Sequence, residues 1–219
     1  MRIGFIGAGR LGQALAQRLV ATGHEIMLSN SRGREAVQPI AARLGCAAGA
    51  AADAARFGAV VVVSVPLKAF DALPAQAIGG RIVVDTCNYY PQRDGEYPEL
   101  ERGQETTSGL LQKALPEAVV VKAFNSVLAT HLARGGAPTP DGPLHALPYA
   151  SDTAVGASIG ERLIAAAGFD PVFCGALAGS WRFERARPGY CRALPAEALR
   201  SVLEQTTVTD FVPEGSWRT

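Results

Sequence analysis

Residues 3–12 read Ile3-Gly4-Phe5-Ile6-Gly7-Ala8-Gly9-Arg10-Leu11-Gly12, an apolar run that breaks into a turn with three spaced glycines. The segment that follows, 10–22, has helical period: Leu11, Leu15, Leu19 and Val20 share one face, and Thr22-Gly23 closes it. In a strand–turn–helix unit of this kind each glycine has its own steric task. Gly7 permits the tight turn out of the strand, Gly9 lets a pyrophosphate approach the backbone, and Gly12 lets the helix pack close to the strand. The free N–H groups at the helix start then face the anion. Glycine-rich turns are common, but one that leaves a strand and opens an amphipathic helix reads as a dinucleotide cradle.

The next strand-like run, Glu25-Ile26-Met27-Leu28, ends in Ser29-Asn30-Ser31-Arg32-Gly33-Arg34. A chain that binds NAD normally places Asp or Glu near this point to accept from the ribose 2′-hydroxyl. Here Asn30 holds the position, with Ser31 and Arg32 behind it. A carboxylate repels a 2′-phosphate, whereas a hydroxyl and a guanidinium bind it. The expected cofactor is therefore NADP(H), with Arg34 as a second available cation and Arg10 placed to meet adenine or phosphate.

Composition narrows the class. The 219 residues suit one large domain or one domain with a small appendage, and 48% apolar with 19% charged residues is the balance of a globular protein with its own core. A net charge of +1 provides no long-range field for nucleic acid or an anionic membrane. The longest apolar run, Ala59-Val60-Val61-Val62-Val63, is too short to span a bilayer. No leader is expected, because residues 1–6 read as a buried strand. Cys46, Cys87, Cys174 and Cys191 form no CxxC pair. At this size no disulfide framework is needed, so a reducing, cytoplasmic compartment is expected.

Short apolar runs alternate with helical segments along the chain. Strands are predicted at 2–6, 25–29, 59–64, 81–85, 119–124, 146–150 and 171–174. Helices are predicted at 10–22, 34–44 (bent or split by Pro39), 50–56, 67–73, 104–114, 126–133 and 153–167, the last capped by Ser151-Asp152 and stopped by Gly168. Unbroken Val/Ile strands alternating with helices argue for an α/β fold: a doubly wound, mostly parallel Rossmann-type sheet with a small C-terminal extension. Residues 1–150 are expected to form the NADP-binding domain. Residues 151–219 are expected to be an α/β extension that completes the sheet and the acceptor pocket or dimer interface. Of two breaker-rich loops, 88–95 follows a strand and is a site candidate, and 135–143 reads as an exposed connection.

Ligands of such sheets bind outside the carboxyl ends of the strands, which puts Val65-Pro66, Thr86-Cys87-Asn88 and Asn125-Ser126 beside the nucleotide. Ordinary turn and capping chemistry accounts for each of them singly; as a set, small and amide side chains suit a nicotinamide ring and its carboxamide. No catalytic acid stands out. His24 precedes the second strand on the adenine side, and His131 and His145 have no visible partner. Lys68 is an available acid; Lys122 is either an acid or an internal ion pair. No Ser/His/Asp set and no metal-spaced cluster is present in the sequence.

Beyond the nucleotide motif, the chain resembles the coenzyme F-420-dependent NADP oxidoreductases and their bacterial relatives. The matching stretches are residues 3–12, Ser29–Gly33, Ser64-Val65-Pro66, Val84-Asp85-Thr86-Cys87-Asn88 with Tyr90–Gly95, Val121-Lys122-Ala123-Phe124-Asn125, and Gly168–Val172 with Gly175-Ala176-Leu177. The resemblance implies that the loop Ala8-Gly9-Arg10-Leu11, framed in the cofactor site by Gly7 and Gly12, holds the pyrophosphate and that Ser31 and Arg32, beside Asn30, hold the 2′-phosphate. It also implies that Val65, Pro66, Cys87, Asn88 and Ala123 lie along the nicotinamide half. It implies hydride exchange between NADP(H) and a deazaflavin in a homodimer. The last segment, Gly179–Glu184 through Tyr190-Cys191, is more similar to the bacterial relatives, many of which have no established acceptor. The nucleotide module is also similar to the cytosolic part of flavin-using ferric reductases. The acceptor could then be F-420, FMN, FAD or a ferric chelate reduced through flavin; an NADPH-binding sensor without turnover is a further alternative. Tyr89, Tyr90, Trp181, Phe183 and Tyr190 could wall a tricyclic ring, or be core or interface aromatics.

Overall fold

The computed structural model describes residues 1–137 and 142–218. Eight strands form one sheet: β1 (Arg2–Ile6), β2 (Glu25–Ser29), β3 (Ala47–Ala48), β4 (Val60–Val63), β5 (Ile82–Asp85), β6 (Val119–Ala123), β7 (Ala146–Ser151) and β8 (Asp170–Phe173). Their order is β3-β2-β1-β4-β5-β6-β7-β8, and every neighbouring pair is parallel except β6–β7. The chain leaves β1 in one direction for β2 and in the other for β4. That reversal makes the β1/β4 boundary a topological switch point, where a crevice opens at the carboxyl ends. The fold is the doubly wound, mostly parallel α/β sheet that the sequence predicts.

The central strands show why their sequences are unbroken valine. Val60 and Val62 belong to one apolar cluster, with Phe5, Leu15 and Leu19, while Val61 and Val63 belong to another, with Leu67, Ile78 and Leu111. Alternate side chains enter opposite faces, and both faces are covered, so no polar residue interrupts the run. The helices are α1 (Arg10–Ala21), α2 (Arg34–Leu44), α3 (Ala51–Phe57), α4 (Ala75–Ile78), α5 (Pro91–Asp94), α6 (Pro98–Glu101), α7 (Thr107–Ala114), α8 (Ala129–Arg134), α9 (Ala154–Ala166) and α10 (Ala196–Gln205). The last of these packs Leu199 and Leu203, one turn apart, with Phe183, Ala146, Ala150 and Val172 over β7 and β8.

Several local expectations change. The helix expected at 67–73 is a 3₁₀ segment, Leu67–Ala72. α7 starts at Thr107 rather than 104, because Thr106 is its N-cap and accepts from the Gly109 N–H at 2.9 Å. α8 starts at Ala129, three residues later than expected. α9 is capped by Thr153, whose hydroxyl accepts from Gly156 N–H at 3.1 Å, not by Ser151-Asp152. Ser151 instead donates to Val120 O, and Asp152 accepts from Leu177 N–H. Pro39 leaves α2 unbroken: both it and Glu35, whose carbonyl loses a partner, are solvent-exposed. β3 and α10 were not anticipated. In the breaker-rich stretch 135–143, residues 138–141 lie outside the described residues.

Candidate functional site

The glycine turn has the geometry its spacing demands. Gly7 sits at φ +112°, and a Cβ there would lie 2.1 Å from Ser64 O. A Cβ on Gly12 would lie 2.5 Å from Gly7 O, so α1 reaches β1 only because this side chain is absent. Gly9 has nothing within 4 Å of the position a Cβ would take. It fronts open space in the crevice, where a pyrophosphate needs access to the backbone. The amide of Gln13 bonds to Gly9 O at 2.9 Å, and the N–H groups of Arg10, Leu11 and Gly12 lie in the helix's first turn, ahead of that bond. Gln13 also donates from Nε2 to Ala8 O at 2.8 Å, a support for the loop that the sequence reading did not foresee.

At the end of β2 the Arg32 N–H donates to Asn30 Oδ1 at 2.9 Å, and Gly7 N–H donates to Ser29 O at 3.0 Å. The second contact ties the glycine turn to the strand end that carries Asn30. The Ser31 and Arg32 side chains are exposed, and Asn30 Nδ2 is buried without a hydrogen-bond partner.

A cleft of about 690 Å³ opens across the carboxyl ends of the central strands. Of the residues expected at the nucleotide site, Gly9, Arg10, Leu11, Val65, Pro66, Cys87 and Asn88 line it. Gly7, Ala8 and Gly12 build the turn behind it, Asn30, Ser31 and Arg32 lie outside its lining, and Ala123 is fully buried in β6. The floor is held by a network of buried polar groups. Lys122, on β6, donates from Nζ to Asp85 Oδ2 (3.0 Å), Cys87 O (2.6 Å) and Thr107 Oγ1 (2.6 Å). Of the two readings of Lys122, the internal ion pair is the one observed: both side chains are wholly buried.

Asn88 and Asn125 brace the next layer. Asn88 Nδ2 donates to Asn125 O at 2.8 Å, and Asn125 Nδ2 donates to Phe183 O at 3.0 Å and Asn88 Oδ1 at 3.1 Å. Backbone carbonyls only accept, so these contacts fix both amide orientations. Phe124, just before, is held at φ +60°, a left-handed conformation that a bulky residue adopts only where its surroundings impose it.

One part of the cleft is aromatic, but with a different membership from that expected. Tyr90, Tyr190 and Trp217 line it, with Arg93. Tyr190 meets Trp217 edge-to-face at 5.3 Å, and its hydroxyl lies 3.2 Å from that of Tyr90. The Arg185 guanidinium lies 4.8 Å from the Tyr90 ring centre and 5.4 Å from that of Trp217, and pairs with Glu214. Trp181, Phe183 and Tyr89 are not in the wall. Phe183 is core, Trp181 carries Arg182 and Arg187 against its ring, and Tyr89 packs edge-on against Tyr97 and bonds Glu101. Cys191 and the Val127–Thr130 segment also line the cleft without having been foreseen.

Three acidic groups of the cleft, Tyr190, Cys191 and Cys87, have raised pKa values. Burial pushes the Tyr190 hydroxyl far above the usual phenol range, aided by Cys191 and Tyr90. Burial pushes Cys191 up to about 12, and raises Cys87 well above a normal thiol. None of His24, His131 and His145 lines the cleft, and Lys68 is exposed outside it. His145 is buried beside Phe169 and contacts Arg192 O at 3.1 Å through Nε2. Among the described residues no His, Cys, Asp and Glu side chains cluster as a metal site, and no helix is long and apolar enough to cross a membrane.

The chain is similar to known proteins in fold and, over part of its length, in sequence. No curated protein matches the chain in sequence. Protein SMa0349 of Sinorhizobium meliloti is similar in structure, with a TM-score of 0.75 and 29% identity over 89% of this chain and 95% of that one. A protein of Arthrobacter sp. FB24, whose name places it with the F420-dependent NADP-reductases, gives a TM-score of 0.69 and 21% identity over 81% and 86% of the two chains. The 3-hydroxyisobutyrate dehydrogenase of Mycobacterium tuberculosis shares the fold at 16% identity and a TM-score of 0.57, with 81% of this chain covering 55% of that longer one. The sequence profile described as NADP oxidoreductase, coenzyme F420-dependent, matches residues 2–89, which span the glycine turn, the end of β2 and the Cys87-Asn88 turn. Over that stretch the chain is similar to the F420-dependent NADP oxidoreductases, a match that supports an NADP-dependent oxidoreductase.

Proposed function

We propose that the chain passes hydride between NADPH and a planar, flavin-like ring such as F-420 or FMN. The pyrophosphate lies over Gly9–Leu11, and the 2′-phosphate lies toward Ser31 and Arg32 beside Asn30. The nicotinamide then runs the other way across the switch point, over the ends of β4, β5 and β6. The acceptor ring fills the far end, against Tyr90, Tyr190 and Trp217.

The observation that carries this reading is that one cleft is lined both by the glycine turn, at Gly9–Leu11, and by the aromatic side chains Tyr90, Tyr190 and Trp217. Flat aromatic faces suit a fused ring. A carbonyl or imine acceptor needs a proton donor near neutral pKa. Burial makes the Tyr190 phenol and the Cys87 and Cys191 thiols poor proton donors for that task. Hydride transfer between stacked rings needs chiefly proximity and orientation, which a shaped cleft supplies. Homodimer formation and a cytoplasmic setting belong to the same reading and rest on the family resemblance and on the four free cysteines.

The test is loss of nicotinamide absorbance when purified protein and NADPH meet F-420, FMN, FAD or a ferric chelate with and without flavin. Turnover with F-420 or a flavin supports the proposal, and rate dependence on flavin in the chelate arm identifies the ferric-reductase variant. Tight NADPH binding with no turnover on any acceptor overturns it in favour of a sensor.

A further inference from the structure

We propose that Lys122 is a positioning residue that fixes the seat of the nicotinamide ring and holds it in register with the acceptor wall; this rests on the cofactor orientation proposed above.

Lys122 has three donors, and each goes to a different element. One reaches Asp85 on β5, one the carbonyl of Cys87 in the turn after β5, and one the hydroxyl of Thr107 at the start of α7. The other carboxylate oxygen of Asp85 accepts from Cys87 N–H at 2.8 Å, and Ser108 Oγ donates to Oδ2 at 2.6 Å. The Lys122–Asp85 pair therefore grips Cys87 by both its N–H and its C=O. The two peptide units that flank the Cys87 Cα are thus both held by buried side chains, and Cys87 lines the cleft beside Thr86 and Asn88.

Thr107 carries the connection onward. Its hydroxyl donates to Glu184 Oε1 at 2.7 Å, and its N–H reaches the same oxygen at 2.8 Å. Glu184 follows Phe183, whose carbonyl holds Asn125, and precedes Arg185, which packs on Tyr90 and Trp217. An unbroken hydrogen-bonded chain, Cys87–Lys122–Thr107–Glu184, buried as far as Thr107 and half-buried at Glu184, thus joins the floor of the cleft to the segment whose Arg185 packs on its aromatic wall. Transfer between positioned groups is sensitive to a displacement of about an ångström between donor and acceptor. A fold that needed only a filled core at this point would do as well with apolar side chains.

The test compares NADPH with adenosine 2′,5′-bisphosphate, which carries the adenine half and its phosphates but no nicotinamide. The variant Asp85→Asn/Lys122→Met removes both charges together, and Thr107→Val cuts the relay while leaving the ion pair whole. For each, binding of both ligands is measured by calorimetry beside the melting temperature. NADPH affinity should fall about tenfold in the double variant and severalfold in Thr107→Val, with adenosine 2′,5′-bisphosphate bound as in the wild type. Equal losses for both ligands in both variants, or no loss in either, overturn the positioning role. If the wild-type protein binds NADPH no more tightly than adenosine 2′,5′-bisphosphate, the cofactor orientation itself is wrong and this inference falls with it.

Discussion

Asp85 and Lys122 face one another in register on adjacent parallel strands and form an ion pair, 3.0 Å apart, that solvent does not reach. A pair so placed is not a reservoir of stability, because desolvation offsets most of the attraction; its breakage is nevertheless costly, since the surviving charge stays buried. Lys122→Met alone should therefore destabilise the protein by about 3–5 kcal/mol, and Asp85→Asn/Lys122→Met should recover most of that loss. Urea denaturation of the two variants checks this. A double variant as unstable as the single one would mean that the hydrogen bonds, not the charges, dominate the site.

Gly9 and Gly12 should separate binding from folding. Gly9 fronts open space, so Gly9→Val should melt close to the wild type and lose NADPH. Gly12 lies against Gly7 O, so a side chain there must push α1 off β1. Gly12→Val should lower stability by about 2 kcal/mol or more. Thermal melts with and without NADPH distinguish the two, and retained affinity in Gly9→Val would remove the turn from the site.

Arg32 is exposed and outside the cleft lining, so its side chain is free to meet a phosphate at the end of β2. Arg32→Ala should weaken NADPH roughly 10- to 100-fold, the scale of a charge-assisted contact, and leave NADH almost unchanged. Equal loss for both dinucleotides in calorimetry would contradict recognition of the 2′-phosphate by this residue.

His145 sets a pH limit outside the cleft lining. Burial lowers its pKa from 6.5 to about 4. Between those values the unfolded chain binds the proton and the folded protein does not. The stability contribution is thus complete above about pH 6.5 and declines as pH falls toward 4. The loss should reach about 2–3 kcal/mol. His145→Gln keeps a donor for Arg192 O and removes the titration. Its denaturation midpoint should therefore fall less between pH 7 and pH 4.5 than that of the wild type, and identical slopes would dismiss His145 as the cause.

What the sequence disclosed follows from where information is local. Val60–Val63 announces a doubly covered strand because each residue reports its own burial. The glycine spacing announces the turn because Gly12 answers Gly7 O within the same unit and Gly9 leaves the backbone open, although the contact at Gly7 comes from the distant Ser64. β3 was silent: two alanines carry no strand preference, and only pairing with β2 makes them a strand. α10 was legible in principle, since Leu199, Val202 and Leu203 follow Pro195 at helical spacing. Lys122 stayed ambiguous because its partner lies 37 residues away and only the strand register brings them together. Aromatic residue type alone could not sort the wall from the core, so Phe183 was included and Trp217 was not.

Trp217 offers the sharpest separation of acceptor from cofactor. It is almost wholly buried, it lies far from the glycine turn in sequence, and it packs with Tyr190, Cys191, Leu128 and Val212 beneath the Arg185 guanidinium. If it walls the acceptor, Trp217→Ala should lower kcat/KM for the ring acceptor about 10- to 100-fold while the Kd for NADPH stays within about twofold. Trp217→Phe, which restores a flat face without the indole, should recover part of the difference. The same variant should lose least with small acceptors that never reach the wall, because a removed contact costs only the ligands that make it. Stopped-flow transfer to FMN or F-420, set beside NADPH titrations, reads both quantities. A matching loss of NADPH affinity would instead mean that Trp217 holds the whole cleft together rather than one end of it.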